Sequence, residues 1–96
     1  MEFEWDPRKN RENRKKHKVS FEEAVTVFLD DESVIFDDPD HSEKEERFLI
    51  VGTSSKTRLL IVCHCYRLDD SVIRIISARR TTTQEERDYL EIKRGW

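Results

Sequence analysis

A chain of 96 residues, 35% hydrophobic and 41% charged, has room for one small two-layer domain spanning residues 1–96 and none for a separate cofactor domain. Its net charge of −3 argues against a uniformly basic nucleic-acid binder, yet the signs are segregated. Arg8, Lys9, Arg11, Arg14, Lys15, Lys16 and Lys18 form a basic segment, and Asp30, Asp31, Glu32, Asp37, Asp38, Asp40, Glu43, Glu45 and Glu46 an acidic one, so local field matters more than the sum. With no apolar run near the ~20 residues of a membrane span and no basic-then-apolar leader, a cytoplasmic protein without membrane contact is expected.

Glu2 to Trp5 reads as a short first strand. Asp6-Pro7 then supplies a cap residue followed by proline at the first helical position. The helix it opens has no apolar stripe from Arg8 to His17, so its least charged face, through Asp6, Asn10, Asn13 and His17, is expected to lie on the body of the protein. Ser20-Phe21-Glu22-Glu23 is a capping box opening a second helix through Phe28, with Phe21, Ala24, Val25 and Phe28 as its buried stripe. Ser33 to Phe36 reads as a strand, followed by an acidic loop from Asp37 to Lys44 that is either a solvated tract or the patch meeting a basic partner. Arg47 to Gly52 and Arg58 to Tyr66 form a hairpin across Thr53-Ser54-Ser55-Lys56-Thr57. Ser71 to Arg80 is the last long strand. Thr82 with Glu85, or Thr83 with Glu86, caps a final helix that carries Tyr89, Ile92 and Lys93 on one side. The order β-α-α-β-β-β-β-α defines an α+β domain: one antiparallel sheet, two N-terminal helices and a C-terminal helix, with the helices mostly on one face.

Cys63 and Cys65, two apart on a strand, have Cα atoms about 6.6–7 Å apart, at or beyond disulfide reach, and read as reduced core thiols. His64 points to the opposite face, so the triplet does not form a metal shell, and no metal or other cofactor is expected. Alternation puts Phe48, Ile50, Leu59, Ile61, Cys63, Cys65, Ile73 and Ile75 under the helices and Arg47, His64, Tyr66 and Arg74 on the open face. Such a set suits metal-independent RNA cleavage, in which the 2′-hydroxyl attacks the adjacent phosphorus. Glu46 and His64 are the candidate proton-transfer groups, and Arg47, Arg74 and Arg79 the candidate stabilisers of the extra negative charge. Lys15, Lys16, His17, Tyr66 and Arg80 are candidates for holding RNA. Each residue also has an ordinary reading: a packed histidine, a helix-capping His17, a surface ion pair at Arg47.

Taken together, Phe3-Glu4-Trp5-Asp6, Lys16-His17-Lys18-Val19-Ser20-Phe21-Glu22-Glu23-Ala24, Glu46-Arg47-Phe48 and Ile75-Ile76-Ser77-Ala78-Arg79 before a threonine-rich cap resemble the BrnT family of bacterial type II toxins. The resemblance runs the length of the chain. It implies a RelE-like fold, a ribonuclease activity that arrests translation, and a hetero-oligomer with a cognate BrnA antitoxin. The family's recurrent polar residues fall at His17, Glu46, Arg47, His64, Arg74, Ser77, Arg79, Glu86 and Tyr89, while Lys18 stands where a glycine commonly follows the histidine. The competing class is a non-catalytic nucleic-acid-binding or regulatory module, which would protect RNA rather than shorten it. A scaffold that only binds a partner ranks third, because it leaves the arginines idle.

Overall fold

A computed structural model describes residues 1–40 and 45–95; His41, Glu43 and the rest of the acidic loop's tip lie outside the described residues. The elements follow the expected order: β1 (Glu2–Glu4), α1 (Pro7–His17), α2 (Phe21–Thr26) continued by a 3-10 turn over Val27–Leu29, β2 (Val34–Asp37), β3 (Phe48–Thr53), β4 (Leu59–Arg67), β5 (Val72–Arg80) and α3 (Thr83–Lys93). The five strands form one sheet in the order β1-β5-β4-β3-β2. β2 to β5 pair antiparallel, but β1 adds to β5 in parallel, so the sheet is mixed at one edge rather than antiparallel throughout. A chain that enters along β1 and returns along β5 only after α1, α2, β2, β3 and β4 meets no hairpin constraint, which leaves its direction free.

The helices divide between the two faces. On one face, Val19, Phe21, Ala24 and Val27 pack with Ile50, Leu60, Val62, Ile73, Ile75 and Ala78 to make the main core. The opposite face carries a smaller cluster in which Tyr89 of α3 packs on Val51 and Ile61, flanked by Val34, Leu49 and Leu59. α3 therefore stands across the sheet from α1 and α2, correcting the expectation that the helices gather mostly on one side. Its start is set by a complete capping box, with Thr82 accepting from the Glu85 backbone and Glu85 accepting from that of Thr82. Its far end is tied down by Tyr89 Oη and Lys93 Nζ, which donate to the Glu32 carbonyl at 3.2 and 2.8 Å. Among the described residues no helix is long and apolar enough to cross a membrane.

α1 explains how a helix without an apolar stripe can be held. Asn10 and Asn13 are its buried residues. The Asn10 amide oxygen accepts from the Phe21 backbone at 2.8 Å, and its nitrogen donates to Glu22. Asn13 accepts from the Ala78 amide at 3.1 Å and donates to the Ala78 and Val19 carbonyls at 2.8 Å each. β1 covers β5 only at Val72–Arg74, so the Asn13 amide does for Ala78 what a neighbouring strand would do. Removing it strands buried backbone groups. Asn13→Ala is expected to lower stability by about 3 kcal/mol, on the basis of about 1–3 kcal/mol for each buried polar group left unpaired. A urea melt measures this, and a loss within about 0.5 kcal/mol, the range of ordinary surface substitutions, would mean that water replaces the amide.

Candidate active site

The sheet face that α3 only partly covers is the candidate site, and a bulge organises it. Above the bulge Ile61 pairs with Arg79 and Cys63 with Ser77; below it His64 pairs with Ile75 and Cys65 with Arg74. Arg74 and Arg79 are an odd number of residues apart, and strict alternation would send them to opposite faces. The extra residue at Ile76 restores the phase, so both guanidinium groups emerge on the same face, with Ser77 exposed between them.

Each arginine on this face is held by a carboxylate. Arg74 Nη1 donates to Glu4 at 2.6 Å, and Arg67 approaches the same oxygen at 3.7 Å. Arg79 makes a two-pronged pair with Glu85, both contacts 2.8 Å. The Arg79 guanidinium holds the Glu85 carboxyl at about 2, well below the usual carboxylate range. Arg47 Nε pairs with Glu45 at 3.2 Å, and its charge reaches the Cys63 thiol. Glu46 is exposed at the foot of β3. It lines a shallow cavity of about 140 Å³ with Asp37, Arg47 and Phe48, and a larger one of about 550 Å³ with Glu45, Phe48, Tyr66, Arg67 and Asp70. Arg47 and Arg74 lie toward the same end of the sheet and Arg79 further up the same face, whereas the cavities that Glu46 lines include Phe48 and Tyr66 of the other face.

The floor between the arginines is made of thiols. Cys63 and Cys65 face this side, away from α1 and α2, and so do Leu59 and Ile61, reversing the expected sides of β4. Burial, then the neighbouring Asp38 carboxylate, which accepts from Sγ at 3.4 Å, pushes the Cys63 thiol up to about 12. Burial raises Cys65 as well. Both thiols stay protonated at neutral pH, which removes thiolate attack from the chemistry available here.

His64 and Tyr66 lie on the opposite face. Tyr66 pairs with Ile73, a core residue, and is half-buried against Phe48 and His64, with ring centroids 5.5 and 5.4 Å apart. His64 is fully buried, edge-on to Phe28 at 4.9 Å, its Nδ1 3.3 Å from the Val62 carbonyl and its Nε2 without a hydrogen-bond partner among the described residues. The structure therefore separates His64 from Arg74 by the thickness of the sheet. The sequence misleads here because β4 is apolar on both faces, so alternation gives no sign of which side meets the helices. Among the RNA-binding candidates, Lys15 and Lys16 are exposed and His17 half-buried at the end of α1. Arg80 sits on the helix-facing side, opposite Leu60, and lines a cavity of about 350 Å³ with Arg58. This basic end lies beside Ala78, away from Glu46 and Arg47. Lys18 takes the left-handed conformation, φ 59°, that ends α1, at the position where a glycine would be free of strain.

Burial lowers the His64 pKa. The unfolded chain then binds more protons than the folded one between that lowered value and the unperturbed ~6.5, so stability rises with pH through this window and falls as pH drops below ~6.5. His64→Leu is expected to flatten that slope in denaturant melts between pH 5 and 7 while leaving RNA cleavage within about threefold of the parent, a change far below the usual effect of removing an acid–base catalyst. Loss of cleavage by a folded His64→Leu protein would restore the imidazole to a catalytic role.

The family model described as the ribonuclease toxin BrnT of type II toxin–antitoxin systems matches residues 5–85, and the chain belongs to that family. Among solved structures, the crystal structure of the Brucella abortus ribonuclease toxin BrnT is similar, with a TM-score of 0.65 at 19% identity over 86% of this chain and 99% of that one. At that identity the likeness speaks for the fold. No curated protein matches the chain.

Proposed function

We propose that this toxin is a metal-independent endoribonuclease that arrests translation, and that a BrnA-type antitoxin binds it in a hetero-oligomer and silences it. The observation that carries this reading is the bulge-aligned pair Arg74 and Arg79, with Arg47 on the same face. RNA laid across this face presents its phosphate to Arg74. That arginine's contact with Glu4 is half-exposed, and exposed pairs of this kind contribute only about 0–1 kcal/mol, so a phosphate can displace the carboxylate at little cost. The 2′-hydroxyl attacks the adjacent phosphorus and expels the 5′-oxygen, which takes a proton from water, leaving a 2′,3′-cyclic phosphate and a 5′-hydroxyl. Arg74 and Arg47 stabilise the charge that builds on the phosphoryl oxygens, and Arg79, fixed by Glu85, adds a positive field further along the strand. With His64 in the core, Glu46 is the candidate to take the 2′-hydroxyl proton. Lys15, Lys16, His17 and Arg80 form a second basic surface at the end of α1, separate from this face, that can hold RNA beyond the cleaved phosphate.

Purified toxin incubated with single-stranded RNA and excess chelator is expected to yield fragments ending in cyclic phosphate. Cleavage that requires an added divalent ion would reject the metal-independent route. RNA protected but never shortened would replace the enzyme with a binding module. Expression of the chain alone is expected to halt protein synthesis, and co-expression with the antitoxin to restore it.

A further inference from the structure

On the same sheet face as the arginines, α3 and β2 bound a groove of about 240 Å³ that none of the steps above uses. Its apolar walls are Phe36, Leu49, Val51, Ile61, Tyr89 and Ile92, and its acidic members are Glu85 and Asp88. Ile92 is 42% and Phe36 37% exposed, so two large apolar side chains stand open to water at its mouth. The outer wall, β2, is the last strand of the sheet, and among the described residues no strand pairs with its outer edge. The cations near the groove are engaged by carboxylates, Arg79 by Glu85 and Lys93 by Glu32, which lies 3.9 Å away, so Asp88 gives the groove its net negative charge. Asp38 stands at the foot of the same face, against Cys63. A ligand for this groove must offer apolar side chains flanked by positive charge, and an anionic ligand such as RNA is repelled from it.

We propose that this groove is where the antitoxin docks, through an amphipathic segment that places apolar side chains between Phe36 and Ile92 and lysines or arginines against Glu85 and Asp88. The proposal rests on the toxin–antitoxin reading above and adds where and how the partner is recognised. The register explains how such docking silences the enzyme. Leu49 in the groove pairs with Cys63, which pairs with Ser77, and Ile61 pairs with Arg79. A segment seated there overhangs the strip between Arg79 and Arg74, and a cation drawn to Glu85 competes with Arg79 for its anchor.

Purified toxin variants titrated with the purified cognate antitoxin, with RNA cleavage followed in parallel, test this. Ile92→Glu and Phe36→Glu, both at exposed positions, are expected to weaken the complex about 30-fold or more, as loss of a central apolar anchor does. Asp88→Lys should weaken it and flatten its loss of affinity with added salt. Free variants should cut RNA as the parent does, and Leu29→Glu, at an apolar residue exposed elsewhere, should bind normally. Parental affinity in both Ile92→Glu and Phe36→Glu, or no complex with the parent toxin, overturns the proposal. So does a toxin dimer in sedimentation that Ile92→Glu dissolves, because the groove would then be a self-interface. A parent that binds the antitoxin through this groove but never cuts RNA would reject the ribonuclease reading and leave the docking site standing.

Discussion

Arg74→Ala is expected to slow RNA cleavage by about 10²–10³-fold, the range typical of removing one donor aimed at developing negative charge. The fold should survive. The side chain lies on the partly exposed face, 34% accessible, and its bond to Glu4 ties only the short edge strand β1, a contact of the kind that contributes about 0–1 kcal/mol. Arg74→Lys should recover little of the rate, because an ammonium presents a point charge where a guanidinium offers a fork matched to two phosphoryl oxygens. If the loss falls on kcat with KM nearly unchanged, the charge acts in the transition state; a rise in KM alone would make Arg74 an RNA-holding residue. Parental kcat/KM in a folded Arg74→Ala protein would place the chemistry elsewhere, most directly around Arg79.

The order of elements was readable because each boundary carries its own chemistry. Asp6-Pro7, Ser20 with Glu23, and Thr82 with Glu85 announce three helices; all three cap residues accept their backbone bond, but of the two boxes Thr82–Glu85 closes while the Glu23 carboxylate turns to Ser54 and Arg58 instead. The buried face of α1 was readable from the spacing of Asn10 and Asn13, though not what they bind, since the unpaired stretch of β5 exists only once β1 proves too short to cover it. The sidedness of the sheet was not readable. A strand written Leu-Leu-Ile-Val-Cys-His-Cys is apolar in both phases, so nothing local says whether His64 or Cys63 meets the helices. Nor does Ile75-Ile76-Ser77 announce a bulge, because an extra apolar residue in an apolar run leaves no signature. That bulge decides which arginines can act together. Arg74 was placed on the open face by alternation and stands there, whereas His64 and Tyr66, counted along the other strand, do not.

The largest loss of stability is expected at Arg58, which joins three elements on the far side of the molecule. Its Nε and Nη2 both donate to Glu23, and Nη2 also reaches the Lys18 carbonyl at 3.0 Å. Ser54, in the β3–β4 turn, donates to the same Glu23 carboxylate at 2.6 Å. Glu23 is almost wholly buried, its side chain 2% accessible, while that of Arg58 is 24% accessible. Arg58→Ala therefore leaves a buried carboxylate with a single hydroxyl partner and should cost about 3–5 kcal/mol, toward the lower end because water can enter where the arginine was partly exposed. Glu23→Gln should cost less, since the amide keeps an acceptor for Ser54 and Arg58. The pH dependence separates the two. Hydrogen bonding from Arg58 lowers the Glu23 pKa, so its contribution is fully present above the usual carboxylate value of ~4.3 and is lost as pH falls through the lowered one. Denaturant melts from pH 2 to 5 should show an acid limb in the parent that Glu23→Gln flattens, distinct from the His64 limb that begins below ~6.5. The double variant Glu23→Leu with Arg58→Met should recover much of what Arg58→Ala alone loses, because what destabilises is the unpaired charge rather than the absence of the pair. A double variant no more stable than Arg58→Ala would show instead that the link from Arg58 to Lys18, which fixes the end of α1 and its basic surface, carries the energy.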